Sequence, residues 1–261
     1  GLTAIPFESI SDDKGSLPLL APMRQVAGRI AAIRGASLLF RNRGGRGVLL
    51  GGVDGADNGR VVVLGAGVAG SHATAVLAAL GARVDVLDLD TDKLSSLKQR
   101  YPMIETHLSN DESVATLCVQ ADLVVGAVLL AGRRAPKVLK QAVVKQMNPG
   151  SVIVDIAIDQ GGCVEGIRST SSEELCYVEN GVIHSAVPNM PAAVARTSSQ
   201  SLSSAILPYV LTLANTAYDL LGESESIQAQ ALHAATAIHH GEVVDEVLSQ
   251  ELGLEESALK Q

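Results

Sequence analysis

The chain has 261 residues, 47% of them apolar, with a mean hydropathy of +0.26; that excludes disorder and suffices for one large domain or two small ones. Twenty Lys and Arg against 28 Asp and Glu give a net charge of −8, and with two Phe, four Tyr and no Trp this excludes a basic or base-stacking nucleic-acid binder. Three scattered cysteines (Cys118, Cys163, Cys176) without a CxxC pair argue against a disulfide framework or zinc site and for a reducing, cytoplasmic setting, and no apolar run approaches a membrane span.

The chain opens at Gly1 on TAIPFESI and reads as a piece of something longer, without a signal peptide. Ile5–Ile10 alternates apolar and polar residues, which predicts a half-buried strand, and Ser11–Ser16 is turn and linker chemistry. Pro22 stands where a helix begins, and Met23, Val26, Ala27, Ile30, Ile33 and Leu38 recur at helical spacing to about Phe40. Gly44–Gly59 holds seven glycines around Val48-Leu49-Leu50, a loop pinned against a core. From Val61 the pattern is regular. A wholly apolar strand, Val61–Leu64, precedes a helix over Val68–Leu80, then a strand VDVLDLD. Helices near Asp92–Arg100, Asp111–Val119 and Lys137–Met147 alternate with strands at Ile104–Leu108, Ala121–Val128 and Ser151–Ile158. This predicts an α/β fold, a Rossmann-type doubly wound parallel sheet with right-handed crossovers. Short apolar runs follow at Leu175–Val178 and Val182–Ser185. Leu202, Ile206, Tyr209, Leu213, Ala217 and Leu220 then stripe a helix over Ser198–Leu221, which Pro208 should kink or split. Val210–Gln261 carries nine acids and one base, the whole net charge, with a weaker helical stripe over Gln228–Leu252. The rest is neutral and presents no general negative field to a polyphosphate.

The main chemical signal is Gly65-Ala66-Gly67-Val68-Ala69-Gly70. The first glycine permits a tight strand-to-helix turn, the second lets phosphates approach backbone N–H groups, and the third lets helix and strand pack closely. Asp88, 23 residues after Gly65, ends the next strand, where a carboxylate accepts from ribose hydroxyls. It would repel a 2′-phosphate, and Leu89-Asp90 offers no arginine, so NAD is favoured over NADP. A second signal is Asp155–Gly162 (DIAIDQGG) at the carboxyl end of a strand. It either faces a nicotinamide ring and a substrate amine or is a turn whose Asp caps the next segment. Asn189-Met190 in PNMP either binds a carboxamide or substrate or is a proline-bracketed turn. His239 and His240 diverge on a helix and cannot share a metal, so no metal site is expected. Cys163 has no nearby base and reads as a packing residue. Gly132-Arg133-Arg134 either touches phosphates or is a solvated loop.

LPLLAPMRQVAGR, GGRGVLLGGVDG, VVVLGAGVAG, ADLVVGAVLLAGRRAPK, PGSVIVDIAIDQGGCVEG and VPNMP stand in the order seen in alanine dehydrogenases. From about Thr3 to Leu254 the chain resembles that family, and also the related NAD-binding subunit of proton-translocating transhydrogenase, whose loop usually departs from AIDQGG. The resemblance implies that Gly65, Ala66, Gly67, Val68 and Gly70 hold a pyrophosphate, with Asp88 on the ribose and Lys93 near the adenosine. Ser109, Val128 and Leu129 would line the adenine and ribose pocket. Ile156, Ala157, Ile158, Asp159, Arg168, Val187, Pro188, Asn189 and Met190 would surround the nicotinamide, with Asp159 and Asn189 catalytic. Arg24 stands where the family has a cofactor-binding serine; it either pairs with phosphate or weakens binding by its bulk.

The family's substrate-binding Arg and Lys and its acid/base His lie in an N-terminal lobe before the strand that opens this chain, and neither His72 nor Lys14 has a matching context. The implied division is a remnant strand and linker of the substrate domain (1–17), an NAD-binding domain (18–195), and C-terminal helices returning to the substrate domain (196–261), leaving apolar helix surface uncovered. The implied reaction is reversible oxidative deamination of L-alanine to pyruvate and ammonia, usually by a homohexamer, without nucleic-acid or membrane partners. The alternatives are the transhydrogenase subunit, or an inactive NAD-binding remnant.

Overall fold

In the computed structural model, which describes residues 1–13, 15–128, 134–218 and 221–253, Val61, Val62, Val63 and Leu64 are all buried, in alternation between two apolar cores. Such all-apolar runs suit a parallel sheet covered on both faces. The strands are β1 (Arg60–Leu64), β2 (Arg83–Asp88), β3 (Glu105–Leu108), β4 (Leu123–Gly126), β5 (Val152–Asp155), β6 (Tyr177–Glu179) and β7 (Val182–Ser185), in the order β3-β2-β1-β4-β5-β7-β6. All pairs are parallel except β6 with β7. One face packs on α1 (Ala21–Leu38), α2 (Val68–Ala79) and α3 (Thr91–Arg100) through Ala31, Ala73, Leu77, Leu94 and Leu97. The other packs on α4 (Asp111–Val119) and α5 (Gln141–Val144) through Val114, Cys118, Val143 and Val144. Each large side chain buried here is worth about 1.5–3 kcal/mol of transfer free energy.

This sheet forms the unit Arg24–Ala195; Gly1–Met23 with Arg196–Gln261 forms a second unit. In the second, Ile10, Leu19, Leu221 and Leu232 form a core on which Ile206 and Tyr209 of α6 (Ala195–Asn215) pack. Leu207, Val210 and Leu211 on α6 are 53%, 49% and 51% exposed. No helix of the described residues is long and apolar enough to cross a membrane.

Several elements differ from the sequence expectation. Ile5–Ile10 is not a strand: only Ala4 bridges, to Ile238, and Phe7–Ser9 form a 3-10 turn after Pro6, which has no N–H to give a ladder. The helix expected over Lys137–Met147 shrinks to α5, because Val138 N–H donates to Cys163 O at 2.8 Å and Glu165 N–H to Leu139 O at 2.8 Å, holding the preceding residues extended. The strand expected over Ser151–Ile158 ends at Asp155, whose carboxylate caps a 3-10 turn, Ile156–Gln160. Pro208 does not split α6, which runs unbroken through it; Ser204, four residues earlier, whose carbonyl loses its usual N–H partner, is exposed. The stripe over Gln228–Leu252 is broken into α7 (Ile227–Ala234), a hairpin of β8 (Ile238–His239) and β9 (Glu242–Val243), and α8 (Glu246–Glu251). His240 and Gly241, with φ of 52° and 92°, make its turn, so the two histidines do not lie on a helix.

Candidate functional site

Parallel pairing of β1, β4, β5 and β7 brings the loops that follow them to one edge of the sheet, and β1 lies at the point where strand order reverses. At the end of β1, Gly65 has φ of 101° and a Cβ there would meet Ala127 O at 2.9 Å, so only glycine fits the turn. A Cβ on Gly70 would stand 1.7 Å from Gly65 O, which is how closely helix and strand approach. Gly67 differs: among the described residues nothing lies within 4 Å of its missing Cβ. It precedes α2 as its N-cap and offers no side-chain cap, which leaves the first-turn N–H groups at the positive end of the helix free of that bond.

A cleft of about 500 Å³ opens beside this turn. It is lined by Gly65 and Gly67 of the turn, by Asp88, Leu89, Asp90 and Lys93, by Ser109, Asn110 and Asp111, and by Val128, Pro136, Lys137 and Val138. Asp88 is fixed by two backbone donors, Ala66 N–H at 2.6 Å and Asp90 N–H at 2.9 Å. Asp90 caps α3, and hydrogen bonds from Lys93, backbone first, hold its carboxyl below the usual range; Lys93 Nζ is 3.2 Å from it. Asn110 and Ser113 cap α4 reciprocally, at 2.8 and 3.0 Å.

Of the residues singled out from sequence, Gly65, Gly67, Asp88, Lys93, Ser109 and Val128 line this cleft. Val68 and Gly70 stand in the first turn of α2, and Ala66 N–H turns to Asp88. Leu129, Gly132 and Arg133 lie outside the described residues, and Arg134 is exposed. Asp159 and Asn189 come together, Asn189 N–H donating to Asp159 Oδ2 at 3.3 Å, with Asn189 in a left-handed conformation (φ 48°). Ile156 and Ile158 are half-buried and Pro188 exposed, whereas Ala157, Val187 and Met190 are buried. Arg168 lies over the Tyr177 ring at 4.2 Å, with Glu179 3.9 Å away.

Arg24 lies on α1 one turn before Gly28, whose missing Cβ would fall 2.1 Å from Ala69 O. That close approach packs α1 against the first turns of α2. Arg24 Nε and Nη2 are buried without a hydrogen-bond partner among the described residues, and desolvation lowers the pKa of the group. An anion is what such a group lacks. Sequence reasoning missed Asp90, Asn110, Asp111 and the Pro136–Val138 stretch; the S/N-x-x-S capping pattern and the APK triplet were the available signals. Cys163 is wholly buried and its thiol is pushed well above its ordinary range by burial and by Asp155, as befits a packing residue.

The family described as alanine dehydrogenase/PNT, C-terminal domain, matches residues 31–246. The chain is 43% identical over 255 residues to alanine dehydrogenase of Mycobacterium tuberculosis, covering 97% of this chain and 68% of that protein. It is 43% identical over 258 residues to that of Bacillus subtilis, covering 98% and 67%. Among solved structures, an L-alanine dehydrogenase superposes with a TM-score of 0.91 at 43% identity, over 97% of this chain and 69% of that one. A transhydrogenase from Sinorhizobium meliloti superposes at 0.77 with 25% identity, over 94% and 69%. With its sheet order, glycine turn and cleft, the chain belongs to the alanine dehydrogenase/PNT family, whose C-terminal domain it carries.

Proposed function

We propose that this chain supplies the NAD-binding part of an alanine dehydrogenase, which interconverts L-alanine with pyruvate and ammonia in the cytoplasm as a homo-oligomer. The observation that carries the cofactor is the open approach to the first turn of α2 beside Asp88: bare N–H groups suit a pyrophosphate, and a carboxylate suits ribose hydroxyls. No arginine follows Asp88 to receive a 2′-phosphate, which favours NAD over NADP. Identity of 43% with alanine dehydrogenases against 25% with the transhydrogenase favours the dehydrogenase reading.

When bound, the nicotinamide accepts the hydride leaving the alanine α-carbon. The protein's own part is orientation. Gly65–Gly70 and Arg24 hold the pyrophosphate; Asp88, Lys93, Ser109 and Val128 hold the adenosine side. The 3-10 turn Ile156–Asp159, with Asn189 against Asp159 Oδ2, orders the nicotinamide end and the reacting groups. Unit Gly1–Met23 with Arg196–Gln261 belongs to the substrate domain in this reading.

The test is titration of NADH and NADPH into the complete gene product, followed by assay of alanine-dependent NAD reduction. Tighter NADH binding and alanine-dependent turnover are expected, and Asp159→Ala lowers turnover more than NADH affinity. Equal affinity for NADPH overturns the cofactor assignment; NADH binding without alanine-dependent reduction overturns the activity.

A further inference from the structure

We propose that Lys137 is a positioning residue for Asp159, forming with Asp155 a two-sided clamp on the segment from Ile156 to Val164. The inference rests on the active-site reading of Asp159 given above. Lys137 Nζ donates to three backbone carbonyls of that segment: Gly161 O at 2.5 Å, Gly162 O at 2.7 Å and Val164 O at 3.2 Å. An ammonium has three protons, so none remains for a phosphate, although Lys137 lines the cleft. A cleft lysine facing a pyrophosphate site is the natural choice for an anion ligand; here its donors are already engaged by the chain itself.

Asp155 grips the same segment through its N–H groups. Its Oδ1 accepts from Ala157 N–H at 2.9 Å, and its Oδ2 from Cys163 N–H at 2.8 Å and Val164 N–H at 3.1 Å. Asp155 ends β5 and pairs with Gly126, so the carboxylate is anchored in the sheet. The peptide joining Gly162 to Cys163 has its C=O on the ammonium and its N–H on the carboxylate. Its dipole runs from the Lys137 ammonium to the Asp155 carboxyl, whose pKa burial raises while the N–H donors of Val164, Ala157 and Cys163 work against that rise.

The segment needs such holding. Gly161 and Gly162 both have positive φ, 87° and 76°, directly after the turn that carries Asp159. Asp159 is exposed, and among the described side-chain contacts its hold is the 3.3 Å bond from Asn189 N–H. Where its carboxylate stands is therefore set by the backbone on either side. Before the turn, Asp155 fixes it; after the turn, Lys137 and Asp155 do so together.

The experiment compares wild type, Lys137→Met and Lys137→Arg in the complete gene product by amide hydrogen exchange over residues 156–165, NADH titration and alanine turnover. Lys137→Met is expected to speed exchange at Gly162, Cys163 and Val164 by about tenfold relative to β1 and β4, as loss of charge-assisted bonds implies. Its NADH Kd stays within about threefold, kcat falls by about tenfold or more, and Asp159→Ala in this background lowers kcat little further. Arg, whose planar fork does not converge on three carbonyls, restores only part. Unchanged exchange overturns the clamp. A Kd raised by about tenfold with unchanged exchange makes Lys137 a cofactor ligand and also overturns it. Faster exchange with unchanged kcat overturns the positioning role. If the wild type shows no alanine-dependent turnover, the activity reading fails, and the exchange comparison still decides the clamp.

Discussion

Gly67→Ala adds one methyl group to a backbone with φ −67°, a value any residue adopts, at a place where no atom of the described residues lies within 4 Å. Alanine is a poorer N-cap than glycine by up to about 1 kcal/mol. Restricting the unfolded chain offsets about 0.4–1 kcal/mol of that, so stability should stay within about 1 kcal/mol of wild type. The methyl points into the space where a pyrophosphate would meet the first-turn N–H groups. Losing one charge-assisted hydrogen bond costs about 1.5–3 kcal/mol, a rise in Kd of about ten- to a hundredfold. Gly70→Ala is the contrasting control, because its methyl would lie 1.7 Å from Gly65 O and the turn itself must open. That variant should lose about 1–3 kcal/mol or more of stability along with binding. Urea denaturation and calorimetric titration of NADH measure both quantities. If folded Gly67→Ala binds NADH within about threefold of wild type, the pyrophosphate does not cross these amides and the argument from the glycine turn fails.

Arg24→Ser should raise the NADH Kd by about tenfold and flatten its dependence on salt, since it removes a cation from the anion's approach. The same change should raise the stability of the ligand-free protein, because two guanidinium nitrogens are buried there without a partner among the described residues. An unaltered salt slope in titrations from low to moderate ionic strength removes Arg24 from the site. His184, stacked on Tyr177 at 5.0 Å, has its pKa lowered, chiefly by burial. The unfolded chain takes up this proton near pH ~6.5 and the folded chain does not, so the stability due to the neutral ring is present above that pH and is lost as pH falls through the lowered pKa. Thermal melts between neutral and mildly acid pH should show a shallower decline for His184→Phe, which keeps a ring against Tyr177; a parallel decline refutes the assignment.

The alternation of helices and strands was legible because a parallel sheet covered on both faces needs unbroken β-branched runs such as VVVL and VIVD, and these stand out against the helices between them. The glycine turn and the hold on Asp88 were legible because each is fixed by local backbone geometry. Lys137 was not. Its partners lie 24, 25 and 27 residues away and are backbone carbonyls, which carry no side-chain signature. The shortening of the Lys137–Met147 helix has the same origin, pairing with residues 163–165 that outweighs local helical spacing. The contacts of Arg168 with Tyr177 and Glu179 were not legible either, because both partners stand on a strand met later in the chain. Asp155 and Asp159 show how one stretch serves two readings at once: the first caps the turn, and the second stands against Asn189.

The outermost strands of the sheet, β3 and β6, are only four and three residues long. They carry Glu105, His107 and Glu179; Lys98 lies 3.2 Å from Glu105, and Asp85 lies 2.7 Å from His107. A stray extended segment docking on either flank would find little ladder to join and ionic groups in its path. Fibril-like growth from chain to chain is thereby discouraged at both margins, so the β-branched interior that makes the fold cohesive stays out of reach of neighbouring molecules during expression and concentration.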